Sequence, residues 1–237
     1  MAGAALLFAL ASCSREQDMG NTGAVGDGET CVKFSIWLPG NNAPTTRALT
    51  ASNENHVQTI DILIFEQGGA WVYNTGCSGS DITTDGGDPL KKSFTIKMRQ
   101  GSYDMVMLAN ARSIVSGMNM SGQSKSAVLA ALTVQMPSGG KWIADPAAAD
   151  YKAIPMWGDV GNVTINSSTQ NLDAQNIRLT RMLARVDVQI DPAVTNFTLT
   201  SVDVYNYNTM GALVPTAAGS WDASTMTAIA PNVPSAS

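Results

Sequence analysis

Few side chains in this 237-residue sequence have the type and spacing that catalysis or metal binding requires. His56 is the single histidine and no C-x-x-C pair is present, so the usual zinc and haem spacings are absent. Asp81, Asp85 and Asp88 flank Gly86-Gly87, but their spacing misses the calcium loop of an EF-hand and no bidentate glutamate follows. No G-x-S-x-G segment is available to place a nucleophile. We therefore expect no catalytic residue, no metal and no cofactor, and interpret these side chains as solvated loop residues.

Cys13 stands where exported bacterial proteins receive a lipid anchor. Ala4 to Ala11 form a short apolar run, Leu10-Ala11-Ser12 precede the cysteine and polar residues follow it, which is the layout of a signal peptide with a small-residue cleavage site. The run is too short to cross a bilayer. Leu-Ala-Ser-Cys also resembles a lipobox, the motif whose cysteine is lipidated after cleavage. We predict a signal peptide at residues 1–12 and lipidation of Cys13.

The composition favours an exported protein made of β-sheet. Charged residues make up 14% of the chain and apolar residues 44%, and helix-forming Glu and Lys are scarce. The net charge of -5 leaves no basic stripe for a phosphate backbone, so nucleic acid is not expected as a partner. Cys31 and Cys77 could pair in an exported protein, and spacing alone leaves that question open.

A first strand is predicted between two polar stretches. Val32, Phe34, Ile36 and Leu38 alternate with more polar residues, so one face of the strand would be buried, and the strand ends at Pro39-Gly40. The polar, Gly-rich residues 14–30 before it are typical of a tether. Residues 41–52 after it form a second polar stretch, which contains Arg47-Ala48.

The rest of the chain predicts an antiparallel β-sandwich. Ile60 to Phe65 is nearly all apolar, which is typical of a central strand covered on both faces, and Gly68-Gly69 predicts a hairpin turn after it. One short helix is predicted at 124–132. The further predicted strands lie at 71–73, 94–98, 103–109, 163–165, 177–179, 184–190 and 197–204, with a loop at 76–88.

Four segments, taken in order, resemble the Bacteroidales fimbrillin family, the type V pilins. They are Gln100-Gly101-Ser102-Tyr103 leading into Val106 to Asn110, Ile154-Pro155-Met156-Trp157-Gly158, Leu179 to Val188, and Val202 to Asn206. The lipobox and the arginine in the loop after the first strand fit the same family. The resemblance implies an all-β fold of transthyretin-like antiparallel sandwich domains with one short helix.

The resemblance also implies how such a chain matures. Fimbrillin precursors reach the outer membrane as lipoproteins, an Arg-specific protease cleaves them after the first strand, and other fimbrial subunits then join by strand exchange. Carried onto this sequence, Cys13 is the lipidated residue, Arg47-Ala48 is the cleaved bond, and the displaced strand is the one whose buried residues are Val32, Phe34, Ile36 and Leu38. A bond between Cys31 and Cys77 would retain that strand, so we expect none.

The expected organisation has four parts. Residues 1–12 are the signal peptide, 13–47 the lipidated propeptide with tether and first strand, 48–181 the N-terminal sandwich domain, and 182–237 the opening strands of an incomplete second domain. We expect a fimbrial subunit that serves adhesion at the cell surface.

Two alternative functions stay open at this point. The chain could remain uncleaved as a membrane-anchored fimbrial component. It could instead be a surface carbohydrate-binding lipoprotein, with Trp157 or Trp221 contacting the sugar.

Overall fold

The protein is seen in a computed structural model that describes residues 28–40, 51–137, 141–183, 188, 190, 196, 198–203 and 209–214. Eleven strands and three short helices are present in these residues. The strands are β1 Glu29–Trp37, β2 Thr59–Glu66, β3 Trp71–Ser78, β4 Thr83–Asp85, β5 Asp88–Arg99, β6 Gly101–Ala109, β7 Thr133–Gln135, β8 Met156–Ile165, β9 Ile177–Arg178, β10 Thr180–Arg181 and β11 Met210–Ala212. The helices are α1 Ala51–Glu54, α2 Arg112–Val115 and α3 Lys125–Ala131.

Two sheets face each other. The first has the order β4-β5-β1-β9 and the second the order β10-β8-β6-β2-β3, while β11 and β7 form a separate pair. The hairpin of β2 and β3 turns at Gly68, whose φ of 65° suits glycine. β5 passes directly into β6 in the other sheet, so the two sheets are joined at residue 100.

The main core lies between the two sheets. The alternating residues of β1 and β5 meet those of β2, β6 and β8, and Phe34, Ile62, Ile96, Met105 and Met107 are almost completely buried. Period-two alternation in each strand puts these side chains on one face. The predicted all-β sandwich is confirmed by this arrangement.

The second sheet is buried on both faces. Leu63 and Phe65 of β2 point away from the main core into a second apolar cluster, where Val128 and Leu129 of α3 cover them. This explains why residues 60–65 are nearly all apolar, as predicted for a central strand. The helix begins after Ser124, whose hydroxyl accepts a hydrogen bond from the Ala127 amide at 3.2 Å.

The structure differs from the sequence prediction in several local elements. β3 continues to Ser78 and β4 lies at Thr83–Asp85, both within the predicted loop. β8 begins at Met156, earlier than the predicted strand at 163–165, and α1 and α2 add two single helical turns. β9 pairs with β1 in parallel, unlike the other named strand pairs. The strand segments that were not predicted lie where apolar alternation is weak, whereas the pairing of β9 depends on a partner that is distant in the chain.

The segment assigned to a second domain is only partly described. The strand predicted at 184–190 lies largely outside the described residues, and residues 198–203 belong to no strand. β11 nevertheless pairs with β7, and Leu213 and Val214 are buried in the second cluster. The boundary after residue 181 stays a prediction.

Among the described residues, no helix has the length and apolarity needed to cross a bilayer.

A buried aspartate and a half-buried arginine form an ion pair at one end of the second sheet. Asp61 on β2 accepts a hydrogen bond from Nε of Arg112 at 2.9 Å, and its side chain is only 7% exposed. The same guanidinium donates from Nη2 to the carbonyl oxygens of Ile60 at 2.9 Å and Cys77 at 3.0 Å. α2 is thereby fastened to both β2 and β3.

Gly76 makes room for this guanidinium. A Cβ atom at this position would overlap the Ile60 carbonyl oxygen and lie 2.9 Å from Nη2 of Arg112. We expect Gly76→Ala to lower the free energy of unfolding by about 1–3 kcal/mol, because packed backbone must shift. Urea denaturation measures this change. Gly86→Ala is the matched control, since nothing lies within 4 Å of its Cβ, and equal effects of the two changes would contradict the steric explanation.

Candidate functional site: the groove filled by the first strand

β1 lies inside its sheet and uses both of its edges. On one side it pairs antiparallel with β5 over its whole length, from Glu29 opposite Arg99 to Trp37 opposite Lys91. On the other side it pairs in parallel with β9, where Ile36 lies opposite Ile177. The strand therefore fills a groove that its removal would open.

Backbone hydrogen bonds continue along the second edge of β1. The Lys33 amide donates to the Gln170 carbonyl at 2.9 Å, and the Lys33 carbonyl accepts from the Leu172 amide at 2.9 Å. Further along, the Leu179 amide donates to the Trp37 carbonyl at 2.8 Å. Residues 170–179 are thus attached to β1, and removal of the strand would leave these groups without partners.

The inward face of β1 is fully apolar. Val32, Phe34 and Ile36 are 0% exposed and Leu38 is 4% exposed. The Phe34 ring stacks on Phe94 of β5 with centroids 5.5 Å apart and planes 10° from parallel. Burying four such side chains contributes about 6–12 kcal/mol, at about 1.5–3 kcal/mol each. That is comparable with the stability of a whole domain, about 5–15 kcal/mol.

The outward face of β1 carries mixed side chains. Cys31 and Lys33 are exposed, and the Lys91 ammonium lies 5.2 Å from the centre of the Trp37 ring. Ser35 is 0% exposed, and its hydroxyl lies 3.0 Å from that of Ser93 on β5. A fully buried polar side chain on the outer face of a sheet is unusual and needs a partner, which Ser93 supplies.

A polar cluster holds the end of β1 against the part of the chain that follows residue 50. The side-chain Nδ2 of Asn55 donates to the Pro39 carbonyl oxygen at 3.1 Å. Arg181 donates to the Asn55 side-chain oxygen at 2.6 Å and lies 3.8 Å from the Glu54 carboxylate. Glu54 and Asn55 are each 6% exposed. The two ends of the segment 41–50 are therefore anchored by contacts that do not involve that segment.

The predicted site residues fall into two groups. Val32, Phe34 and Ile36 lie together on the buried face of β1, and Leu38, directly after the strand, is buried in the same core. The other predicted site residues, at the lipidation and cleavage positions, lie outside the described residues: Cys13, Arg47 and Ala48. Displacement of the strand, lipidation and cleavage stay predictions.

Cys31 and Cys77 are not joined by a disulfide. Cys31 is exposed on the outward face of β1, whereas Cys77 is 4% exposed and belongs to the main core between the sheets. Because the two side chains are on opposite faces of the first sheet, they could not be bridged without moving backbone. β1 is therefore not held in its sheet by a disulfide between these two residues.

Asp85 and Asp88 flank the turn between β4 and β5, whereas Asp81 lies in a 3-10 turn before β4. Asp85 lies 3.1 Å from the Lys91 ammonium, and this hydrogen-bonded partner lowers the pKa of the Asp85 carboxyl. Asp88 accepts a hydrogen bond from the Leu90 amide at 2.8 Å. In the described part of the chain, no three His, Cys, Asp or Glu side chains converge as metal ligands would.

The residues considered for other functions are dispersed. Nδ1 of His56 lies 2.6 Å from the Tyr151 hydroxyl at the surface. Trp157 is half-buried on β8 and packs against the second cluster. Trp221 lies outside the described residues, so the structure does not bring the two tryptophans of the carbohydrate hypothesis together.

Sequence reasoning missed the polar residues around β1. Ser93, Asn55 and Arg181 showed no distinctive spacing, because their roles depend on contacts between residues 16 to 142 positions apart in the chain. The position of Asp61 within an otherwise apolar strand could have indicated a buried ion pair. A carboxylate inside an apolar strand requires a cation, and that cation is Arg112.

The fold and the groove define a β-sandwich protein whose first sheet is completed by its own N-terminal strand. The sequence profile of one protein family, described as "Fimbrillin-A associated anchor proteins Mfa1 and Mfa2", matches residues 23–232. The chain belongs to this family. The predicted fimbrillin resemblance is confirmed.

Solved structures of fimbrial proteins are similar to the chain at low identity. The tip fimbrial protein Mfa3 from Porphyromonas gingivalis is 17% identical, with a TM-score of 0.42 over 65% of this chain and 49% of that one. A fimbrial assembly protein from Parabacteroides distasonis is 16% identical, with a TM-score of 0.36 over 65% of this chain and 54% of that one. The chain thus spans about half the length of these structures. No curated protein matches it at a significant level.

Proposed function

We propose that the chain is a subunit of an adhesive fimbria that assembles by donor-strand exchange. It is exported as a lipoprotein anchored in the outer membrane through Cys13 and is cleaved between Arg47 and Ala48 by an Arg-specific protease. Its first strand is then replaced by a strand from another fimbrial subunit. The role is structural and needs no catalytic residue.

The position of β1 carries this proposal. β1 and Leu38 supply four buried side chains to the main core. The peptide chain leads from them to the later strands through the segment 41–50, which contains Arg47. One cut in that segment would separate the strand from the rest of the domain covalently. The predicted N-terminal sandwich at 48–181 would then lack an interior strand.

A domain without β1 would strongly favour a replacement strand. Its groove would expose the core residues that Phe34 and its neighbours now cover, and β5 would present unpaired backbone groups. An extended segment from another subunit restores both the apolar contacts and the ladder hydrogen bonds. Assembly then draws its free energy from burial and requires no nucleotide hydrolysis.

The cut alone leaves the groove filled. The ladder with β5 and the contacts of Asn55 and Arg181 with Pro39 are independent of the peptide bond after Arg47. An incoming strand must therefore compete with a resident strand that is still bound. Proteolysis makes exchange irreversible once the released propeptide diffuses away.

The N-terminus of the surface form tests the proposal. Edman sequencing or mass spectrometry of purified fimbriae is expected to find chains that begin at Ala48. Arg47→Ala and Arg47→Lys should both yield chains that begin at the lipidated Cys13 and stay out of the fibre. The lysine variant is the matched control, because it keeps the positive charge and removes only the arginine. Fibres built from chains that still contain residues 28–40 would refute the proposal.

A second candidate function is an uncleaved anchor. It is favoured by the description of the matched family, which names anchor proteins. In that case Cys13 would hold the chain in the outer membrane, and β1 would stay in its groove. Arg47→Ala would then leave fibre number and length unchanged, whereas Cys13→Ala would release fibres into the medium.

A further inference from the structure

One side-chain position on the outward face of β1, that of Ser35, is inaccessible to solvent. Cys31 and Lys33 point outward from β1 and are exposed, but Ser35 on the same face is completely buried. β5 lies on one side of it and residues 170–178 on the other. Its hydroxyl meets that of Ser93, which is itself 8% exposed. The Ser35 side chain has no accessible surface, so a larger side chain at this position must displace the atoms that now cover it.

The neighbouring inward position is matched to an aromatic ring. Phe34 lies directly opposite Phe94 in the β1–β5 ladder and stacks on it. The sequence Phe34-Ser35 therefore faces Ser93-Phe94, so that rings meet on the inner face and hydroxyls on the outer face. Two adjacent positions on β5 thus specify two adjacent residue types in the strand beside it.

These two positions discriminate between registers. A shift of one residue would turn the apolar face of the strand outward. A shift of two residues keeps the faces, but it would place either Lys33 or Trp37 where Ser35 now lies. Either side chain would have to displace the atoms that now cover Ser35, and the Ser93 hydroxyl would lose its partner.

We infer that the enclosed position opposite Ser93 sets the register of any strand bound in this groove. A donated segment that restores the antiparallel ladder with β5 runs in the direction of β1 and carries a small residue, serine by preference, immediately after an aromatic residue. This inference rests on the proposed strand exchange. The inference restricts the sequence of the partner segment, whereas apolar burial alone would allow any strand with alternating apolar residues to bind.

Competition between peptides tests the inference. The chain is cut after Arg47, unfolded in urea under reducing conditions and refolded with an excess of two labelled peptides of the sequence 28–40. One peptide has the native sequence and the other carries Ser35→Leu. Native mass spectrometry counts which peptide occupies the groove. We expect the native peptide to be incorporated preferentially by about tenfold or more, because overpacking is costly.

The control peptide carries Cys31→Leu, which adds the same side chain at an exposed position of the same face. It should compete within about threefold of the native peptide, since surface substitutions have small effects. Equal uptake of the Ser35→Leu and Cys31→Leu peptides would overturn the register inference while leaving strand exchange intact. Failure of the native peptide to replace the resident fragment would instead refute the proposed function.

The uncut chain provides a measurement that needs no exchange. Ser35→Leu should lower the midpoint of urea unfolding, Ser35→Ala should lower it less, and Cys31→Leu should leave it nearly unchanged. An unchanged midpoint in the Ser35→Leu chain would show that the position is not enclosed. That result would overturn the inference even if no variant took up a peptide.

Discussion

Replacing Phe34 with alanine is expected to lower the free energy of unfolding of the uncut chain by about 3–5 kcal/mol. The ring is 0% exposed and stacks on Phe94 at the centre of the groove. Its removal loses apolar burial and leaves a cavity between two sheets that cannot readily collapse. Urea denaturation followed by tryptophan fluorescence measures the change.

Lys33→Ala is the control for this prediction. The two residues are adjacent on β1, but the Lys33 side chain is exposed, so its loss should change stability by less than about 0.5 kcal/mol. Similar effects of the two substitutions would show that β1 is not held by its apolar face. Apolar burial would then not be the main source of free energy for binding a replacement strand.

Removing the guanidinium of Arg112 is the second change with a large expected effect. Arg112→Ala leaves the buried Asp61 carboxylate and two backbone carbonyl groups without their donor, and we expect a loss of about 3–4 kcal/mol at neutral pH. α2 should detach from β2 before the sandwich unfolds. Hydrogen exchange of the amides at 112–118 would detect this step.

The pH dependence identifies the carboxylate as the source of the loss. Burial raises the pKa of Asp61 above its ordinary value of 3.8, and the Arg112 guanidinium opposes that rise. A raised pKa in the folded state means that this group costs stability as the pH rises above 3.8. Arg112→Ala removes the opposing charge and raises the pKa of Asp61 further. The deficit of the variant relative to the native chain should therefore be smaller at pH 5 than at pH 7.

Asp61→Asn in the Arg112→Ala background serves as the control. The amide carries no charge to desolvate, so the double variant should recover part of the loss and should show no pH-dependent deficit between pH 5 and 7. A deficit that stays constant with pH in the single variant would assign the loss to the carbonyl hydrogen bonds instead.

Local sequence patterns predicted the strands with strong alternation. β1 and the β2–β3 hairpin follow directly from apolar periodicity and Gly68-Gly69, because such features depend on neighbouring residues only. The sequence did not predict β4 or the part of β8 that precedes residue 163. The residues of Thr83–Asp85 are all exposed and show no apolar alternation, since this is an edge strand held by backbone pairing with β5.

The groove itself was predicted only in part. The buried face of β1 could be read from Val32 to Leu38, but its neighbours could not, because β5 and β9 lie about 60 and 140 residues away and pairing at such distances leaves no local signature. The same reason hid the Ser35–Ser93 contact. A serine inside an alternating strand looks like any outward-facing residue until its cross-strand partner is known.

The short strand β9 is attached to the first sheet through β1 in the described structure. Directly after it, β10 crosses to the second sheet and pairs with β8, so residues 177–181 link the two sheets. Tension applied to the chain beyond residue 181 would be carried in part across the β1–β9 ladder as a shear load. Under the proposed strand exchange, an occupied groove would therefore also resist mechanical load, and a joint between two subunits would bear force only after its groove has been filled.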